Sequence, residues 1–155
     1  VGAFEHFARP QMDREQKIAV YRAFFDKLAG MMVPGAHFSL QTIVWDNVDF
    51  VSSKELLPET VFPQSDLPFI SEIVEASAEH FRLVYLENDP DEYADTLTAW
   101  IGNLRAVKAE VVANWGQGKY DFFHNYLRRS RLSFKQRTTS LTRLVLRRHN
   151  ERAYP

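Results

Sequence analysis

Asp46 and Asp49 follow one apolar run of this chain, and Glu87 and Asp89 follow another. Carboxylates gathered at the C-terminal ends of neighbouring strands can hold Mg²⁺ or Mn²⁺ through hard oxygen ligands, and such an ion supports phosphoryl transfer or nuclease chemistry. The arrangement requires the two runs to be parallel strands of one sheet, since ligands of open α/β sheets bind just beyond the strand C-termini. Turn chemistry supplies a competing reason for the same residues, because Asp and Asn end strands and start turns without binding anything.

A second pattern lies in the charge. Residues 1–118 carry 9 Lys and Arg against 18 Asp and Glu, a balance of −9, whereas residues 119–155 carry 10 against 2, a balance of +8. Arg128, Arg129, Arg131 and Lys135 fall in one stretch and Arg143, Arg147 and Arg148 in the next, with Arg137 and Arg152 adding to the same region. Arginine dominates, and its planar fork suits two-pronged contacts with phosphate or carboxylate. A basic segment of this kind predicts an anion-binding face on a helical C-terminal segment, with Arg143 and Arg147 paired by their spacing of four. Its alternative use is to neutralise the acidic front of the same domain.

Other chemistries find little to start from. With no cysteine, the chain has no disulfide framework, thiol nucleophile or thiolate metal site. His6, His37, His80, His124 and His149 form no pair at metal-ligand spacing in the sequence, and no Gly-x-Ser-x-Gly elbow is present. Gly116-Gln117-Gly118-Lys119 has neither the glycine spacing nor the following hydroxyl of a phosphate loop, so it reads as a turn between helices.

The elements that would position these groups can be read from periodicity. Asp13 and Gln16 make a capping box for a helix over about 13–30, whose Ile18, Tyr21, Phe25, Leu28 and Met32 share a face, with Gly30 as a left-handed cap. Alternation over 37–45 predicts a strand, extended or followed by another at 48–51. Residues 52–68 hold three prolines and form a long connection. A helix over about 67–79, opened by Ser65 or Asp66, leads to a strand over 81–86. A long helix over 90–114, another from Lys119, and a last segment over 133–150 complete the chain.

The length of 155 residues suits one domain with its own core, and the 12 Phe, 6 Tyr and 3 Trp fit an aromatic interior. The expected fold class is α+β (or α/β): a small sheet of two to four strands, flanking helices and a mainly helical C-terminal half. No run of about 20 apolar residues is present, so no membrane partner is expected, and the absence of cysteine fits the cytoplasm. The chain begins at Val1, which suggests a trimmed piece of a longer protein. The favoured function is a binding or regulatory module, without a cofactor, that meets nucleic acid or an acidic protein through the arginine-rich segment. The alternatives are the Mg²⁺ or Mn²⁺ enzyme and an interaction domain of a larger protein.

Overall fold

The computed structural model describes residues 3–46 and 65–150. It is an α+β fold: a short 3-10 turn Phe4–His6, helix α1 Arg14–Met31, strand β1 His37–Trp45, α2 Ile70–Ser77, β2 Phe81–Asn88, α3 Pro90–Ala106, α4 Lys108–Trp115, α5 Gln117–Lys135 and β3 Thr139–Arg148. The expected second strand at 48–51, and Asp49 with it, lie outside the described residues.

The sheet has the order β1-β3-β2. β2 pairs antiparallel with β3, from Phe81 opposite Arg148 to Asn88 opposite Thr142, with a bulge at Val84. Hydrogen bonds from Arg148 N to Ala36 O at one end and from Asp46 N to Thr138 O at the other make the β1–β3 pairing antiparallel too. β1 and β2 therefore run the same way, as a crossover unit requires, but β3 separates them. The last segment is thus the central strand of the sheet, where a helical arginine-rich C-terminal segment was expected. Its Thr and Val residues favour a pleated backbone, and the alternation of Leu144 and Leu146 with Arg143, Val145 and Arg147 overrides the helical reading.

Two compact units divide the chain. The first comprises residues 1–45, 64–88 and 141–155. Its core joins Phe4, Ile18, Tyr21, Phe25 and Ala29 to Leu40 and Val44 of β1, Leu144 and Leu146 of β3, Ile73 and Ala76 of α2 and Phe81 of β2. Phe4 is its aromatic hub, stacked on Tyr21 at 4.8 Å and edge-on to Phe24 at 5.5 Å. The α1 capping box forms as the sequence specifies: Gln16 N donates to Asp13 Oδ1 at 2.8 Å, and Asp13 N donates to Gln16 Oε1 at 3.1 Å. Gly30 stays inside the helix, and the cap is Met32 in an extended conformation. The left-handed glycine comes later, at Gly35 with φ 77°, where an added Cβ would stand 3.0 Å from Asn150 Oδ1.

The second unit comprises residues 46–63 and 89–140. Asp89 caps α3 by accepting from Asp91 N and Glu92 N, and Pro90 occupies the first turn, where its missing N–H costs nothing. The helix expected to run to 114 breaks at Val107, whose ψ of 17° leaves the α-helical region. α3 buries Ala94, Leu97 and Ile101, while Trp100 and Val107 are exposed. α3 packs along α5, which buries Tyr120 and Phe134.

Candidate functional site

The first unit holds charge in its interior. Glu5, Lys17, Asp66 and Glu72 are all buried, none with more than 5% of its surface exposed. Ionised groups leave water at high cost unless partners replace it, so each partner matters. Lys17 comes from the inner face of α1, one residue before Ile18, and places Nζ 2.5 Å from Asp66 Oδ2. The other Asp66 oxygen accepts from Trp45 Nε1 at 3.1 Å, and its own N–H donates to Ala8 O. Asp66 is thus a lock between α1, the end of β1 and the segment leading to α2, not the helix cap expected from sequence; the residue at the α2 N-terminus is Phe69, whose N–H donates to Glu72 Oε2 at 2.9 Å.

Glu5 differs from these. The 3-10 turn carries it inward, and Oε1 accepts from Ile43 N at 2.9 Å. Its second oxygen, Oε2, is buried without a hydrogen-bond partner, as is the hydroxyl of Tyr21. Burial raises the Tyr21 pKa far above its ordinary 10.0, and the negative charges of Glu72, Asp66 and Glu5 raise it further. Tyr21 is therefore a neutral hydroxyl within the field of three carboxylates. A buried carboxylate oxygen with no donor is the group in this unit most available to accept a proton or to face a developing positive charge. Sequence reading passed over it, although the flanking Phe4 and Phe7 mark residue 5 as belonging to an apolar turn, where a charge is unusual.

The residues singled out from sequence are dispersed. Glu87 lies on β2 with Oε2 3.6 Å from Arg143 Nη1, and it accepts from Tyr85 Oη at 3.2 Å. Asp89 is the α3 cap, and Asp46 follows β1 with its N–H bonded to Thr138 O. Among the described residues, the only three metal-ligating groups within 4.8 Å of one another are Asp26, Glu79 and His80, so Asp46, Glu87 and Asp89 belong to no such set. Arg128, Arg129, Arg131 and Lys135 lie on α5, whereas Arg143, Arg147 and Arg148 lie on β3. Lys135 sits 3.2 Å from Asp91 and 3.7 Å from Asp95. Arg143 also donates to Gln41 Oε1, and Arg147 donates to Gly35 O at 3.2 Å. The basic segment is part helix and part central strand, and several of its cations are engaged within the fold. No helix among the described residues is long and apolar enough to cross a membrane.

Comparison with known proteins adds what geometry alone cannot. Residues 1–144 match the family described as mycolic acid cyclopropane synthetase. The chain is 28% identical over 160 residues to cyclopropane mycolic acid synthase 2 of Mycobacterium tuberculosis, covering 94% of this chain and 52% of that protein. It is 27% identical over 148 residues to cyclopropane-fatty-acyl-phospholipid synthase of Escherichia coli, covering 96% and 36%. The chain thus spans about half or less of the length of these relatives. Its fold is that of the cyclopropane synthase MmaA2 from Mycobacterium tuberculosis, with a TM-score of 0.80, 22% identity and coverage of 95% of this chain and 53% of that one. The mycolic acid cyclopropane synthase CmaA1, in a structure complexed with SAH and CTAB, superposes with a TM-score of 0.79 at 22% identity, again covering 95% and 53%.

These likenesses overturn the functional expectations. The matched proteins are named as lipid synthases, which displaces the nucleic-acid or acidic-protein binding module, the Mg²⁺ or Mn²⁺ phosphotransfer enzyme and the bare interaction domain alike. The expectation of no cofactor also falls, because a relative was solved with SAH. The charge asymmetry does not make one ligand surface, because the basic residues are divided between a helix and a paired strand.

Proposed function

This chain belongs to the mycolic acid cyclopropane synthetase family, and from that premise we propose that it forms part of an enzyme that adds one carbon to an unsaturated lipid acyl chain, using S-adenosylmethionine. The family match over residues 1–144 carries the reading, and the relatives named for mycolic acids and fatty-acyl phospholipids supply the substrate class. The residues present fit such a cofactor in one respect: a sulfonium is a cation, and the partnerless Glu5 oxygen is an anionic acceptor. When bound, S-adenosylmethionine would supply an electrophilic methyl group and leave as SAH.

Glu5 is the residue of this chain that we assign to the chemistry. Addition of a methyl group to a double bond puts positive charge on the neighbouring carbon of the acyl chain. Closing a three-membered ring then requires that a proton leave the added carbon, whose C–H electrons form the new C–C bond. A carboxylate held by one backbone N–H, with its other oxygen unpaired, stabilises that cation or accepts that proton without first shedding a donor. Tyr21, kept neutral, holds no competing negative charge. The cysteine-free composition fits a reducing compartment, and we place the reaction in the cytoplasm.

The test is incubation of the protein with methyl-labelled S-adenosylmethionine and phospholipid vesicles whose acyl chains carry a cis double bond. Label should enter the lipid as one methylene group per double bond consumed. Label that stays out of lipid overturns the reading.

A further inference from the structure

We propose that Asp26, Glu79 and His80 form a surface site for a divalent transition-metal ion, zinc foremost, that staples α1 to the start of β2. His80 Nε2 already lies 2.9 Å from Asp26 Oδ1, across 54 positions of sequence, and a Glu79 oxygen joins them within 4.8 Å. Bonds of about 2.0–2.2 Å to one zinc ion put its ligand atoms about 3–4 Å apart. Asp26 and Glu79 are exposed, so rotation of their side chains closes the remaining gap without disturbing the core.

His80 is the fixed member of the set. Its backbone N–H donates to Ser77 O at 3.1 Å, and its backbone carbonyl accepts from His149 N at 2.8 Å, which holds the main chain of the turn from α2 into β2. An imidazole among the ligands selects zinc, nickel or copper over Mg²⁺ and Ca²⁺, which take oxygen ligands. Three protein ligands leave the fourth tetrahedral position to water. The site also stands apart from the proposed chemistry. β1 and β2 run in the same direction, so the start of β2 is at the opposite end of the sheet from Ile43, whose N–H holds Glu5. The ion's effect is therefore on stability, because a ligand that binds only the native state raises its melting temperature.

Titration calorimetry of the metal-free protein with zinc chloride should show one ion bound per chain, with a rise in melting temperature. His80→Asn and Asp26→Asn should each weaken binding by about tenfold or more, as loss of a ligating group does, while melting without metal stays near that of the parent. Magnesium chloride at the same concentration should give neither heat nor a shift. The proposal is overturned if zinc does not bind, if both variants bind it as the parent does, or if magnesium stabilises equally, which would mark an exposed ion pair drawing counterions. Since lipid labelling is not the readout, these outcomes are independent of the catalytic reading.

Discussion

The two units treat charge in opposite ways. Among the described residues, the first buries Glu5, Lys17, Asp66 and Glu72, while the buried polar groups of the second are hydroxyls alone: Ser130, Ser133, Thr139 and Ser140. The ion pairs of the second unit, Lys135 with Asp91 and Arg137 with Asp91, sit in solvent. Charge in a low-dielectric interior is either held by partners or available for chemistry, whereas charge at a surface is screened and contributes little. The sheet-and-helix unit is therefore where single substitutions will have large effects, although the other unit and β3 carry most of the chain's basic residues.

The largest expected effect is at Lys17. Lys17→Met keeps the length of the side chain but strands the buried Asp66 carboxylate, which should cost about 3–5 kcal/mol in urea unfolding. Adding Asp66→Asn should recover part of that loss. A cost below about 1 kcal/mol for the single substitution would erase the distinction between the units. Next is Glu5→Gln, which should lower lipid labelling by about a hundredfold or more. Its melting temperature should change little, since Oε1 keeps its bond from Ile43 N and the charge removed is the unpaired one.

A smaller effect follows from Tyr21. Its pKa is raised in the folded state, first by burial and then by the neighbouring carboxylates. Above the unfolded value of 10.0 the unfolded chain therefore releases a proton that the native state keeps. Stability from this group is complete below pH 10 and falls as pH rises beyond it, by up to about 1.4 kcal/mol per pH unit. Tyr21→Phe should flatten that decline in urea melts taken on either side of pH 10. The smallest effect is at Lys135: replacement by Ala should cost less than about 1 kcal/mol, because its contacts with Asp91 and Asp95 are exposed.

Much of the first unit's frame could be read from sequence where local chemistry decides structure. The Asp13–Gln16 box and the alternation from His37 to Trp45 act between near neighbours, and both elements form with those boundaries or within a residue of them. β3 could not be read that way. A central strand carrying Arg143, Arg147 and Arg148 looks like a charged helix until Gln41, Glu87 and Gly35, distant in sequence, supply partners for the guanidinium groups and backbone. Lys17 was hidden for a similar reason, since only Asp66, 49 positions on, explains a cation on an apolar face. The partnerless Glu5 oxygen is a property of packing, and no spacing rule encodes it.

The strand order has a consequence for synthesis. Among the described residues, β3 is the last strand in chain order and stands between the other two, so the neighbour that β1 and β2 share is made after both. Until about residue 141 has left the ribosome, the apolar sequence Leu83-Val84-Tyr85-Leu86 of β2 lacks its β3 partner, which makes the nascent intermediate prone to sticking. Ribosomes stalled before that point should hold a chain in which α1 is formed and the pairings of β3 are absent. Sheet closure then becomes a single late event that joins residues more than 50 positions apart, the slow kind of contact in folding.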